Sequence, residues 1–218
     1  MAQVGIKQRR ARERQALRQA ILEAAREIAA REGWQAVTIR KVAERIEYSP
    51  PMIYQYFVSK DDLLLALLRE GFADVTARLR AAQATATTPE ESLISAAAAY
   101  WAFAWERPEL YQVMHGLGGV PFGTADTPPE ARAAFAALRD AVRPLVGDAA
   151  PDLDDDVDLL WSTLHGLVAL TMAGRIAGGQ QRATGLMERA VRDLALAWRT
   201  SRDGSSAPAR PPPLYELS

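Results

Sequence analysis

Apolar residues recur every three to four positions from one end of this chain to the other, and no stretch alternates apolar with polar. That spacing lines up one face of a helix and cannot line up one face of a strand, so the chain is expected to be all-α. Leu17, Ile21, Ala24 and Ile28 mark a first helix over 15–31, which Gly33 ends. Ile39, Val42, Ala43 and Ile46 mark a short second helix over 38–46. Ser49 followed by Pro50 starts a third, running to Phe57, because serine caps a helix and proline needs no N–H in its first turn. Ser59 caps a long fourth helix carrying Leu64, Leu68, Phe72, Val75 and Leu79. Thr88-Pro89-Glu90-Glu91 and Thr127-Pro128-Pro129-Glu130 have capping-box form and open two more helices. Pro108 begins a short helix through Met114, residues 116–127 form a Gly- and Pro-rich loop, and helices over 152–175 and 183–200 close the fold. The acidic run of Asp152, Asp154, Asp155, Asp156 and Asp158 is accounted for by the dipole at a helix start rather than by a metal.

The formal net charge of −1 hides an asymmetry. Residues 1–60 hold 12 Lys and Arg against 6 Glu, a net of +6, and the rest hold 14 basic against 21 acidic residues, a net of −7. A basic head on an acidic body suggests that the head alone meets a polyanion. The chain has no cysteine, so disulfides and Cys-based zinc or redox sites are excluded. An all-α enzyme has little support. His115 and His165 are the only histidines, and neither a phosphate-binding glycine loop nor a His-Glu-x-x-His pattern is present. No catalytic residue, metal or cofactor is therefore expected. The 16 residues Leu159–Gly174 form the longest uncharged apolar stretch, interrupted by Ser162, Thr163 and His165, and fall short of the roughly 20 that span a membrane. The charged N-terminus lacks the apolar block of a secretory signal, so a cytoplasmic protein without a membrane partner is expected.

Two short helices joined by about three residues, behind a stabilising first helix, describe a helix-turn-helix over 38–57. Its small core would be Ile39, Val42, Ala43, Ile46, Ile53 and Phe57. That leaves Arg40, Lys41, Pro51, Met52, Tyr54, Gln55, Tyr56 and Lys60 to face outward, and Thr38 and Ser49 complete the expected DNA-contact set. Tyr54 and Tyr56, two apart, cannot share one helix face, so at least one is exposed. The stretch Thr38–Lys60, ending Tyr54-Gln55-Tyr56-Phe57-Val58-Ser59-Lys60, resembles the DNA-binding domain of the tetracycline-repressor (TetR) family, as does the Gly33-Trp34 link before it. The likeness extends over about residues 14–65. It departs at the turn, where Glu47 occupies a place the family gives to glycine and would need a positive φ.

The resemblance implies a homodimeric repressor on a palindromic operator, released by a small ligand held in the C-terminal domain. By position it makes Arg40, Pro51, Met52, Tyr54, Tyr56 and Lys60 DNA contacts. Met52 would touch a thymine methyl, and Gln55 would reach an adenine edge or a phosphate. Trp34 is expected as a core plug. The expected division is a basic flexible arm over 1–13, a DNA-binding domain over 14–60, a ligand-binding and dimerisation domain over 61–200, and a disordered tail over 201–218. Arm residues Lys7, Arg9, Arg10, Arg12 and Arg14 are either an extra DNA contact or a solubilising tail.

Trp161-Ser-Thr-Leu-His165-Gly166 resembles the Trp-His-Gly signature of one class of TetR ligand domain. With Trp101, Trp105, Met114 and Met172, the pair Trp161 and His165 would line an apolar cavity for a small hydrophobic effector, although the same residues suit an ordinary core. Gly166 within a helix suggests the close approach of another helix. Val157, Leu160, Leu164 and Leu167 form one apolar stripe, and Met187, Val191, Leu194 and Trp198 another. Leu159, Leu170, Leu186 and Leu196 widen both, as a four-helix dimer interface would require. The rival to a DNA-binding regulator is a helical small-molecule or protein-binding module without DNA affinity, and Glu47 is the feature in its favour.

Overall fold

A computed structural model describes residues 2–147 and 153–203, with side chains over 7–147 and 153–201. Among these residues the structure holds nine α-helices, one turn of 3-10 helix at Trp34–Ala36, and no strand. The helices are α1 (Ala2–Glu32), α2 (Ile39–Arg45), α3 (Pro50–Ile53), α4 (Lys60–Ala84), α5 (Pro89–Glu106), α6 (Pro108–Gly116), α7 (Pro129–Val146), α8 (Leu153–Met172) and α9 (Gly179–Asp203). No helix among the described residues is long and apolar enough to cross a membrane.

Of the caps anticipated from sequence, those at Ser59 and Thr88 form and Ser49 makes no side-chain cap bond, while Thr38, expected inside the second helix, is its cap instead. Thr38 accepts from Lys41 N at 3.2 Å, Ser59 from Asp62 N at 3.1 Å, and Thr88 from Glu91 N at 3.2 Å. Glu91 reaches back to Thr88 N at 3.2 Å, completing a capping box, and the bonds from Thr87 and Thr88 hold its carboxyl below the usual range. Thr127 instead accepts from Thr124 N at 3.1 Å within the preceding loop.

The chain divides into two compact units that are not contiguous in sequence. The first takes the residues up to Ala77 with Ala102–Ala134, and the second takes Arg78–Trp101 with the residues from Phe135 onward. The expected division at residue 60 is therefore not where the compact units part. In the first unit α1 packs against α2, α6 and the 3-10 turn, and α2 against α3. Ile21, Leu22, Val42, Ala43, Ile53, Phe57, Leu63 and Leu67 are buried there. α4 and α6 touch at Gly71, where an added Cβ would sit 2.5 Å from Met114 Sδ, so a larger residue there requires the methionine side chain to shift. In the second unit α8 packs along α9.

Two helices differ from the sequence reading. α1 begins at Ala2, so the arm expected to be flexible over 1–13 is helical, because extending an existing helix needs no new nucleus. α9 runs to Asp203, three residues into the expected tail, and the remainder of that tail lies outside the described residues.

The turn between α2 and α3 shows why Glu47 tolerates its position. Tyr48 N donates to Ala43 O at 2.9 Å and Glu47 N to Glu44 O at 3.3 Å, the paired bonds of a Schellman cap, with Glu47 at φ 60°. The motif needs a left-handed residue, and two hydrogen bonds impose it on a glutamate at a cost of about 1 kcal/mol. Glu47→Gly is expected to raise Tm by about 2–4 °C in thermal denaturation. A lowered Tm would show that the side chain, not the backbone, matters at this turn.

Candidate nucleic-acid interface

The expected contact set lies on α2, on α3 and on the residues that flank them. Thr38, Arg40, Ser49, Pro51, Tyr54 and Gln55 are exposed, and Lys41, Met52, Tyr56 and Lys60 are half-buried. Ile39, Val42, Ala43, Ile53 and Phe57 are buried as anticipated, and Ile46 is half-buried. α3 is shorter than expected. The helix proper ends at Ile53, and residues 54–56 continue as a turn, with Gln55 N donating to Met52 O at 3.2 Å and Tyr56 N to Ile53 O at 2.9 Å. The tightened winding turns Tyr54 and Gln55 outward while Phe57 returns to the core.

The basic side chains hold exposed partners. Arg40 Nε lies 2.8 Å from Glu44, Lys41 Nζ 2.6 Å from Glu32, and Arg45 Nε 2.9 Å from Glu27. Such surface pairs contribute on the order of 0–1 kcal/mol, so a phosphate can displace the carboxylates. Lys60, half-buried, also has a structural partner. Its Nζ donates to the main-chain oxygen of Trp34 at 3.2 Å, which ties the start of α4 to the 3-10 turn. Trp34 in turn donates from Nε1 to Glu109 O on α6 at 3.1 Å, a structural plug as anticipated.

Sequence reasoning missed three features of this surface. Tyr48 and Val58 are exposed hydrophobics, at 47% and 80%, flanking the α3 turn. Arg14 lies 5.7 Å over the Tyr56 ring and Arg18 5.2 Å over Phe57. Their four-residue spacing on one face of α1 was the available signal.

The residues expected to line a ligand cavity fall in both units. Trp105 and Met114 belong to the first, and Trp101, Trp161, His165 and Met172 to the second. Met114 is buried against Gly71, which makes it a packing residue. In the second unit Trp161 Nε1 donates to the Tyr100 hydroxyl at 3.3 Å and Trp101 Nε1 to Thr184 Oγ1 at 3.1 Å. Burial holds His165 below its ordinary value, so it is neutral at neutral pH.

The expected dimer stripes need correction. Val157, Leu160, Leu164, Met187, Val191 and Trp198 are buried within the single chain, and Trp198 Nε1 donates to Asp156 at 2.8 Å. They belong to the α8–α9 packing, because each helix turns its more continuous apolar face to its own neighbour first. Leu167 and Leu194 are half-buried, and the residues left exposed are Leu159, Leu170 and Leu196. Gly166 shares the α8 face of Leu159 and Leu170. Among the described residues no neighbouring element lies within 4 Å of a Cβ added there, so none of their helices makes the close approach expected of it.

Comparison with known proteins matches two segments of the chain. The family of "Bacterial regulatory proteins, tetR family" matches residues 21–67, and "Tetracyclin repressor-like, C-terminal domain" matches residues 93–194. The HTH-type transcriptional regulator Rv0681 of Mycobacterium tuberculosis is 28% identical over 189 residues, covering 77% of this chain and 83% of that protein. The HTH-type transcriptional repressor KstR of Mycolicibacterium smegmatis is 37% identical over 76 residues, covering 35% of this chain and 37% of its own. The fold is shared with a protein of unknown function from Rhodococcus sp. RHA1, with a TM-score of 0.71 at 22% identity over 83% of this chain and 94% of that one.

Proposed function

The chain belongs to the tetR family of bacterial regulatory proteins and is a DNA-binding transcriptional regulator, and we propose that it is a ligand-released repressor that reads its operator through α3 and the turn after it. The observation that carries this reading is the outward display of Pro51, Tyr54 and Gln55 directly above the buried Ile53 and Phe57. α3 enters the major groove, Met52 and Gln55 face base edges, and Arg40, Lys41, Tyr54 and Tyr56 hold phosphates. The rival module without DNA affinity loses its support, since the turn closes on its Schellman bonds despite Glu47.

The repressor acts as a homodimer. The unpartnered leucines of α8 and α9, with the open face at Gly166 between Leu159 and Leu170, are the surface a second copy covers. Light scattering is expected to give twice the monomer mass for the wild type and the monomer mass for Leu159→Glu with Leu196→Glu. A dimer that survives both substitutions places the interface elsewhere.

The effector is a small, mostly hydrophobic molecule, in keeping with the few charges near His165 and Trp161 along α8. It must bind the DNA-incompetent state more tightly, and DNA then weakens its binding by the same factor. Selection of bound duplexes from a random library tests the reading. A recovered palindrome supports it, and recovery of unenriched sequence at physiological salt overturns it. Effectors are then screened by tryptophan fluorescence for loss of operator binding.

A further inference from the structure

α1 continues well beyond the helix that the head needs. Leu17 is its first half-buried side chain and Ile21 its first buried one, and every side chain from Lys7 to Ala16 is exposed. Residues 7–18 hold six basic side chains and one acid, Glu13, and Glu13 lies 3.5 Å from Arg9. At 100° per residue, Lys7, Arg10, Arg14 and Arg18 fall within about 80° of one another, a single stripe roughly 16 Å long. The two inner members lie over Tyr56 and Phe57, so the stripe starts at the edge of the proposed DNA-reading surface and runs away from it.

Helix stability does not account for this stripe. Cations near a helix N-terminus face the positive end of the macrodipole, and the first turn of α1 contains no acid to offset them. The extension also buries none of its described side chains. An external row of anions supplies what is missing.

We infer that the N-terminal extension of α1 is a second DNA-binding element. It is a rigid helical rail whose Lys7 and Arg10 clamp backbone phosphates beyond the segment read by α3, while Arg14 and Arg18 brace it on the head. A helix of this width does not enter a minor groove of about 6 Å as an extended arm would, so the rail adds affinity and footprint without reading sequence. The inference rests on the proposed reading of α3 as the DNA-reading element.

The test compares the full-length wild type with Lys7→Ala plus Arg10→Ala, and with the opposite-face pair Arg9→Ala plus Arg12→Ala. Alanine preserves the helix, which circular dichroism checks. Affinity for the selected operator is measured by fluorescence anisotropy across a fourfold range of salt. Each phosphate contact contributes about −0.9 to the slope of log K against log salt. Loss of Lys7 and Arg10 is therefore expected to flatten it by about 1.8 for each engaged head, about a twelvefold difference over that range. The ratio of operator to scrambled affinity stays unchanged, and the opposite-face pair moves the slope less. An unaltered slope in the Lys7, Arg10 variant, or an equal loss in the opposite-face pair, overturns the rail and leaves the α3 reading intact. Failure of the wild type to retain any duplex overturns both.

Discussion

Phe57→Ala is expected to destabilise the protein by about 3–5 kcal/mol, the usual loss when a buried phenylalanine is truncated. The ring is 2% exposed, Arg18 covers one side of it, and its own N–H closes the α3 turn on Ile53 O at 3.0 Å. Truncation leaves a cavity beside buried Ile53 that the charged end of Arg18 fills only at a desolvation cost. Tm should fall by roughly 6–20 °C. Amide exchange in α2 and α3 should accelerate, α8 and α9 should keep their protection, and operator binding should be lost with the head. Phe57→Leu, which keeps most of the volume, should recover much of the loss. A Tm within a degree of wild type for the alanine variant would mean that Phe57 does not set the angle between α2 and α3.

The second large effect concerns sequence preference. Gln55→Ala and Met52→Ala should each erase discrimination at one base pair of the operator half-site, by about 1–3 kcal/mol or some 5- to 150-fold. Affinity for scrambled duplex should be unchanged, because both side chains are uncharged and phosphate contacts carry the nonspecific term. Tyr54→Phe should do the reverse, weakening all duplexes alike. Competition binding against a panel of single-base operator variants separates these outcomes. If wild type and both alanine variants rank the panel identically, α3 does not read bases.

Local chemistry was legible in the sequence where a side chain acts on a neighbour within a turn. The caps at Ser59 and Thr88 were readable because donor and acceptor lie three residues apart, and the left-handed conformation at Glu47 because the resemblance places a glycine there. The outward faces of Tyr54 and Gln55 followed from the helical period, although the shortening of α3 did not, since a 3-10-like turn leaves the same apolar spacing over so few residues. What failed was the choice between equivalent faces. Periodicity groups Val157, Leu160 and Leu164 on one stripe and Leu159 and Leu170 on another, and nothing local says which meets the same chain and which a second copy. The helical start of α1 was also hidden, because a helix with no apolar face of its own has no period to read. The partner of Lys60 was invisible for another reason: its acceptor is a main-chain oxygen, which every residue possesses.

That last point bears on how such a protein can change over generations. The indole of Trp34 is held by the carbonyl of residue 109, not by its glutamate side chain. Almost any amino acid at 109 offers the same oxygen, provided α6 keeps its helical path. Position 109 is thus free to change, while the joint to the 3-10 turn that Lys60 also holds survives each exchange. Change at position 109 and constancy of this joint need no coordinated mutation, since the joint is written into the backbone on one side and into a single tryptophan on the other.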